Sequence, residues 1–247
     1  MSGIFTYHNF SLQDTPYLEG QVAVVTGGQA GIGKEITAQL LLHGIEKVIV
    51  VARDENKFKT AYDEWRVRKG IELTQDDSRV TFVKCDLGDI EDVYAAAKKI
   101  KEQTEYIHIL ICNAANILFA KELTRRLQED DDPGAKKVYV NSFSPGNVVT
   151  QQWQGWSEHL GRVVGVVIRG LGRWLGQSVE EGAATAVYLA TSPEVSERGI
   201  RGGYFVPIAK GEEPTRLARD GDLAREVWDW IDDRVAQMLG ENWQSGK

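Results

Sequence analysis

Cysteine, positive charge and long apolar runs are all scarce in this chain of 247 residues. Two cysteines cannot supply a disulfide framework, which indicates a reducing, cytoplasmic compartment. Acidic side chains outnumber basic ones 36 to 29 and no Lys/Arg-rich run is present, so a nucleic-acid partner is not expected. The N-terminus lacks the basic and apolar regions of a secretory signal, and no stretch of about 18 uncharged apolar residues follows. We expect one soluble domain, mature from near Met1.

The first half of the chain alternates apolar β-branched runs with segments of helical periodicity. Strands are predicted at QVAVVT, KVIVVA, RVTFVK and YIHILIC, and helices at residues 36–42, 58–65 and 90–100. This alternation predicts an α/β fold with a doubly wound, parallel Rossmann-type sheet and helices on both faces. Asp54 and Asp89 are placed as helix N-caps, and Gly44 and Gly70 lie just past helix ends.

The second half is less regular. A helix is predicted over 114–128, strands at KKVYVNS and GGYFVPI, and a C-terminal amphipathic helix over 223–239. Ser178 and Glu181 have the spacing of a capping box that opens another helix. Apolar residues over 153–175 keep helical spacing, although five glycines weaken that helix.

A glycine-rich turn follows the first strand directly. TGGQAGIGKEI places Gly27, Gly31 and Gly33 between an apolar strand and an amphipathic helix. Glycines permit positive φ and close backbone approach, and the helix N-terminus beyond them offers unpaired N–H groups to a pyrophosphate. The strand–turn–helix context makes the pattern more specific than a lone glycine motif. The alternative is a turn that only connects the two elements.

Four motifs in order resemble the short-chain dehydrogenase/reductase family, most of all its retinol-dehydrogenase-like branch. TGGQAGIG is similar to the TGxxxGIG loop, CDL at 85–87 to the adenine-contacting element, NAA at 113–115 to NNAG, and SPGNVVT to PGxVxT. The resemblance implies an NADP(H)-dependent oxidoreductase of a lipophilic alcohol or ketone. The cofactor-binding residues it implies are Gly27, Gly31, Ile32, Gly33, Arg53, Asp86, Leu87, Asn113, Ala114, Pro145, Gly146, Val148 and Thr150.

The end of the second strand selects between the two nicotinamide cofactors. An acidic residue there binds the 2′-hydroxyl of NAD, whereas an arginine accommodates the 2′-phosphate of NADP. Arg53 follows VIVVA, and the branch that the chain resembles has arginine at this point. Asp54 comes next and is either the NAD acid or a helix N-cap. We expect NADP(H), because arginine binds phosphate with bidentate geometry.

The family's catalytic residues have no counterpart at the expected place. The resemblance implies a Ser that orients the carbonyl, and a Tyr and Lys four residues apart that act on the proton and the nicotinamide ribose. Asn113 and Pro145 are only 32 residues apart, and residues 116–127 resemble the part of the family helix that follows YxxxK. Roughly 50 to 70 residues, including one αβ unit, are missing by the size of such units. We therefore assign no catalytic residue.

Other chemical candidates are weaker. Tyr94 and Lys98 form one YxxxK pair, but on the helix after the CDL element, where packing explains them better. Ser142 and Ser144 suit a cap or turn, and His108 is expected to be a packed residue within a strand. Neither cysteine has CxxC spacing or a nearby basic partner, so no thiolate or metal chemistry is expected.

Two features of the second half have alternative interpretations. The 153–175 segment is a mobile lid over a lipophilic substrate, a basic amphipathic helix on a membrane surface, or a helix packed on the core. Its membrane interpretation is the least favoured of the three. If one αβ unit is absent, KKVYVNS can pair directly beside YIHILIC and restore a continuous sheet.

The sequence thus predicts a single NADP-binding domain over residues 1–247, with a cofactor-binding half at 20–113 and a truncated catalytic half at 114–247. Losing a positioned acid/base costs about 10²- to 10⁴-fold in rate, so we expect little hydride transfer. The alternative is a non-catalytic nucleotide-binding or interaction protein, alone or as a homo-oligomer. A skipped exon or a gene-model error would also produce the junction near residue 114.

Overall fold

The computed structural model describes residues 10–112, 117–148, 177–241 and 243. Its first half alternates strands with helices. The strands are β1 (Val22–Thr26), β2 (Lys47–Ala52), β3 (Val80–Lys84) and β4 (Ile109–Ile111), and the helices are α1 (Gly31–Leu42), α2 (Glu55–Val67) and α3 (Ile90–Gln103). The strands pair in parallel in the order β3-β2-β1-β4. The expected Rossmann-type sheet is confirmed.

Apolar residues fill both faces of this sheet. Successive side chains of a strand enter opposite faces, so Val25 and Val50 pack with α1 while Val24 and Ile49 pack with α3. All four are almost completely buried. Burial on both faces is typical of a parallel sheet covered by helices, and it explains why β1 and β2 are nearly continuous valine and isoleucine runs.

The helix ends follow the local sequence signals. Asp54 and Asp89 cap α2 and α3, because their carboxylates accept backbone N–H bonds from the first turn of each helix. Gly44, with φ of +73°, and Gly70, with φ of +91°, come just after α1 and α2. All four assignments made from the sequence are confirmed.

The second half forms a smaller layer beside the first. Its elements are α4 (Ile117–Glu129), β5 (Ser142–Phe143), α5 (Val179–Thr191), α6 (Pro193–Glu197), β6 (Tyr204–Val206), β7 (Lys210–Gly211) and α7 (Gly221–Leu239). β5 and β6 pair in parallel, and β6 and β7 antiparallel. α5 packs on α1 and β4, whereas α7 packs on α4 and α3. The capping box of Ser178 and Glu181 opens α5 as predicted.

The expected continuous sheet is wrong. In the described residues β5 pairs with β6 and not with β4, and of the predicted strand KKVYVNS only its last residue, Ser142, lies in β5. The cause lies in the residues before β5. The Val140 carbonyl accepts bonds from the Gly202 N–H at 2.7 Å and from the Thr124 hydroxyl at 3.3 Å. These bonds hold the segment against α4 and the loop before β6, away from β4.

Among the residues that the structure describes, β4 is consequently an edge strand with an exposed apolar residue. Leu110 is 62% exposed, whereas its neighbours Ile109 and Ile111 are 4% and 5% exposed. Leu110 shares a sheet face with its partner Val24, which is 3% exposed. Within the described chain, the helical layer over that face therefore ends between β1 and β4.

Two smaller expectations also change. His108 is exposed and precedes β4, where its Nδ1 accepts the Val22 N–H at 3.1 Å, so it is not a packed residue within a strand. On α3 the helical spacing of Ile90, Val93, Ala97 and Ile100 predicts the packed face, but Val93 and Ala97 are exposed and the buried residue is Ala96. Among the described residues, no helix is both long and apolar enough to cross a membrane.

Candidate cofactor-binding site

The strand order brings three loops to one edge of the sheet. Parallel strands point the same way, so the residues after β1, β2 and β3 meet at their carboxyl ends. These residues include the glycine turn at 27–33, Arg53 and Asp86. Open α/β sheets bind ligands at the carboxyl ends of their strands, at the point where the strand order reverses. In this sheet the order reverses at β1, which lies between β2 and β4.

The glycine turn has the backbone geometry that the sequence predicted. Gly27 has φ of +63° and its N–H donates to the Val51 carbonyl at 2.9 Å, which fixes the turn to the end of β2. Gly31 has φ of +51° and begins α1. Residues with a side chain rarely adopt such positive φ values, so glycine is required at both positions.

The N-terminus of α1 has no side-chain cap. Ala30 occupies its N-cap position, and the first turn contains no acidic residue. By contrast α2, α3, α5 and α7 are each capped by a side chain, from Asp54, Asp89, Ser178 and Asp220. Within the described part of the chain, the first N–H groups of α1 therefore remain open to an anion, which the helix dipole also favours.

Gly28 and Thr37 form a close contact that sequence reasoning missed. A Cβ on residue 28 would lie 2.9 Å from Thr37 Oγ1 and 3.2 Å from the Val25 carbonyl oxygen. Real Cβ atoms essentially never come within 3.0 Å of another atom. A side chain at residue 28 would therefore force Thr37 or the turn to move, and glycine avoids this clash. A threonine four residues after Gly33, within the predicted apolar helix, is the sequence signal that could have drawn attention to this contact.

Arg53 and Asp86 face each other across this edge. Arg53 Nη1 lies 3.8 Å from Asp86 Oδ2, and both side chains are at least half exposed. Asp54, the alternative acidic residue, has its carboxylate bound to the Lys57 N–H at the start of α2. Leu87, next to Asp86, exposes half of its surface. An exposed guanidinium and an exposed apolar side chain are therefore available to a ligand at this edge.

Residues 145–148, which we call the PG segment, lie beside α5. Gly146 has φ of +76° and its N–H donates to Ser144 Oγ at 3.3 Å, so Ser144 has the turn role expected of it. Pro145 lies inside this turn, between Ser144 and Gly146, and the buried Val148 that follows forms a short parallel bridge with Gln177. The segment is thus held as a defined loop before α5 begins.

The PG segment and the start of α1 both pack closely against Gly182. A Cβ at this position of α5 would lie 2.5 Å from Val148 Cγ2 and 3.5 Å from Ile32 Cγ1. The structure therefore brings the predicted site residues Ile32 and Val148 to one contact point against the first turn of α5. Sequence reasoning missed Gly182, although a glycine inside a predicted helix is a recognised sign of close packing.

Some predicted features lie outside the described residues: Asn113, Ala114, Thr150 and the amphipathic segment at 153–175. The Tyr94–Lys98 pair lies on α3, where the Lys98 ammonium group is 4.4 Å from the centre of the Tyr94 ring. Burial, and then nearby carboxylates, raise the pKa of the Cys85 thiol, which disfavours a thiolate. No group of three metal-ligating side chains occurs in the part of the chain that the structure describes.

A family model for short chain dehydrogenases matches residues 21–167. The chain belongs to the short-chain dehydrogenase/reductase family. The match covers the whole four-stranded parallel sheet and continues past β5. The family assignment made from the motifs is confirmed.

Individual relatives match over different lengths. A short-chain dehydrogenase/reductase of Armillaria gallica is 36% identical over 114 residues, which is 46% of this chain and 34% of that protein. The chain spans only about a third of the first curated relatives that it matches. The short-chain dehydrogenase/reductase drtF of Aspergillus calidoustus is 23% identical over 310 aligned positions, covering 89% of this chain and 95% of drtF. Because 89% of 247 residues is about 220, roughly 90 aligned positions have no residue from this chain.

Solved structures share the fold at low sequence identity. L-sorbose reductase from Gluconobacter frateurii, solved with NADPH and L-sorbose, superposes with a TM-score of 0.63 at 17% identity. The similarity covers 82% of this chain and all of that one. The Rossmann-type architecture is therefore the same in both proteins.

Proposed function

We propose that this chain binds NADP(H) at the carboxyl edge of β1, β2 and β3, and that its capacity for hydride transfer is strongly impaired. The uncapped N-terminus of α1 carries the binding proposal. It lies directly behind a turn whose glycines have positive φ, so backbone N–H groups and the helix dipole are available to a pyrophosphate. Gly27, Gly31, Ile32 and Gly33 are the proposed contacts.

Arg53 is the proposed ligand of the 2′-phosphate. The guanidinium is exposed, and its 3.8 Å contact with Asp86 is loose enough for a phosphate to displace it. Asp54 is occupied as a helix cap, which disfavours its use as the ribose-binding acid of an NAD enzyme. Asp86 and Leu87 would contact the adenine. The NADPH bound to L-sorbose reductase supports the same choice of cofactor.

The remaining proposed contacts lie toward the nicotinamide end. They are Asn113, Ala114, Pro145, Gly146, Val148 and Thr150. Nicotinamide supplies the hydride in this family's chemistry, and the chain's own part is to position the ring and exclude water. We assign residues 1–247 to one domain, with its cofactor-binding half at 20–113 and a truncated half at 114–247.

The loss of hydride transfer rests on the connection between β4 and α4. β4 ends at Ile111 and α4 begins at Ile117, which leaves five residues between them. Five residues are too few for both the strand that carries the family's catalytic Ser and the helix that carries its YxxxK motif. The roughly 90 unmatched positions of the drtF alignment and the exposed Leu110 at the edge of the sheet support the absence of a complete αβ unit. The chemistry implied by the resemblance, reduction of a lipophilic ketone or oxidation of the alcohol, would then be residual.

A non-catalytic NADP(H)-binding protein is the second candidate, and the short β4–α4 connection favours it. Oxidation of NADPH by the purified chain, followed at 340 nm with a panel of aliphatic and aromatic aldehydes and ketones, separates the two. Our proposal predicts NADPH binding without turnover above a protein-free blank. Turnover that saturates with substrate, and whose KM for NADPH rises in Arg53→Ala, would instead identify an active reductase.

A further inference from the structure

The hydroxyl group of Thr37 links α1 to the glycine turn. Thr37 is fully buried in the second turn of α1. Its Oγ1 lies 3.0 Å from the carbonyl oxygen of Gly33 and 3.2 Å from that of Gly28. The first acceptor belongs to the same helix, but the second lies in the turn before it, so one hydroxyl proton serves either of two elements.

The two acceptors depend on this hydroxyl to different extents. The Gly33 carbonyl is inside α1, where the regular i to i−4 pattern gives it a backbone N–H partner. Gly28 is buried and outside any helix or strand, and among the described residues the Thr37 hydroxyl is the donor to its carbonyl. A buried carbonyl without a donor is unfavourable, so the hydroxyl stabilises the peptide orientation between Gly28 and Gln29.

The contact is shaped from both sides. The missing side chain of Gly28 leaves the space in which Thr37 Oγ1 approaches the turn, since a Cβ there would be only 2.9 Å away. The same turn positions Gly31 and the first N–H groups of α1. Any rotation of the Gly28 peptide would therefore shift the donors on which anion binding depends.

We infer that Thr37 is a positioning residue for the cofactor, acting through Gly28 to hold the turn in its anion-binding conformation. This inference rests on the proposed NADP(H) binding. Apparent affinity falls in proportion to the population of the competent conformation, so loss of the hydroxyl weakens binding without removing any direct contact. Because the pyrophosphate is common to both cofactors, NADPH and NADH are affected equally, unlike the effect of Arg53.

The test measures dissociation constants of both cofactors for Thr37→Val, Thr37→Ser and wild type. Thr37→Val keeps the shape of the side chain but removes the donor, and we expect both affinities to fall roughly tenfold. Thr37→Ser restores the donor and should bind within about twofold of wild type. Thr37→Ala, which favours helix formation, is the second hydroxyl-free variant if Thr37→Val does not fold.

Thr124→Val is the matched control. Thr124 is also a buried helical threonine, 2.8 Å from the carbonyl oxygen of Ala120 in its own helix and 3.3 Å from that of Val140 outside it. Its loss should lower the melting temperature and leave both cofactor affinities unchanged. Wild-type affinity in a folded hydroxyl-free variant of Thr37 would overturn the inference. Failure of the wild-type chain to bind either cofactor would refute the proposed function itself, and the role of Thr37 with it.

Discussion

Arg53 and Asp86 oppose each other at the carboxyl edge of the sheet, with 3.8 Å between guanidinium and carboxylate. They follow β2 and β3, which are neighbouring strands, so their separation is set by the register of the sheet. The contact is mostly exposed and contributes little to stability. Its importance lies in ligand choice, because a bound 2′-phosphate would replace Asp86 as the partner of Arg53.

Arg53→Ala should weaken NADPH binding by about 10- to 100-fold, since a charge-assisted bond to phosphate is lost. NADH has no 2′-phosphate, and its affinity should stay the same. Asp86→Asn should tighten NADPH binding by about two- to fivefold, because it removes a competing exposed carboxylate. Calorimetric titrations at two salt concentrations test these effects. An equal change for NADH would show that Arg53 does not distinguish the cofactors.

Gly182→Ala should weaken binding of both cofactors. The new methyl group would displace Val148, and the PG segment with it, at an expected cost of about 1–3 kcal/mol in stability. Gly221→Ala is the matched control in the first turn of α7, where a Cβ would meet nothing closer than 4.0 Å. The control should unfold at or above the wild-type temperature. Unchanged cofactor affinities in Gly182→Ala would separate the PG segment from the binding site.

Alanine substitutions of Leu110 and Ile111 test whether the β4 edge of the sheet is exposed. Leu110→Ala should change the free energy of unfolding by less than about 0.5 kcal/mol, because the side chain is 62% exposed. Ile111→Ala, one residue further along β4, should cost about 2–5 kcal/mol, because that side chain is 5% exposed. Urea unfolding of both variants measures the difference. Equal costs at the two positions would mean that another element covers Leu110.

Glu122 makes part of the stability dependent on pH. Hydrogen bonds from Arg125, with smaller contributions from Arg126, lower the pKa of its buried carboxyl from 4.5 to about 2. A lowered folded-state pKa stabilises the protein above the unfolded value, so the contribution is complete above about pH 5 and is lost as the pH falls toward 2. The expected loss is up to about 3 kcal/mol.

Urea unfolding of Glu122→Gln between pH 6 and 2.5 checks this contribution. The variant should be less stable at pH 6 and should lose less stability on acidification than the wild type. Asp77→Asn serves as a comparison, because hydrogen bonding to Arg79 likewise lowers the pKa of Asp77 to about 2. An identical pH profile for Glu122→Gln and wild type would contradict the assignment.

Local sequence signals predicted the elements that depend on neighbouring residues. The valine runs of β1 and β2, the caps at Asp54 and Asp89, and the capping box at Ser178 are examples, since each needs only a few adjacent residues. The glycine turn was predictable for the same reason. Its φ values follow from the residue types between one strand and one helix.

Long-range partners were not predictable in the same way. Which strand β5 joins depends on the bonds of Val140 to residues far along the chain, and the sequence pattern of KKVYVNS contains no information on them. Gly182 and Thr37 were missed because each matters through a contact with another element. The exposure of Leu110 likewise depends on helices that do not reach it.

The most direct measurement is a titration of the purified 247-residue chain with NADPH and, separately, with NADH, followed by quenching of its tryptophan fluorescence. We predict saturable binding of NADPH that is tighter than that of NADH, and loss of the difference in Arg53→Ala. Absence of saturable binding, or equal affinity for the two cofactors, would contradict the account of the α1 N-terminus and Arg53 as an NADP(H) site.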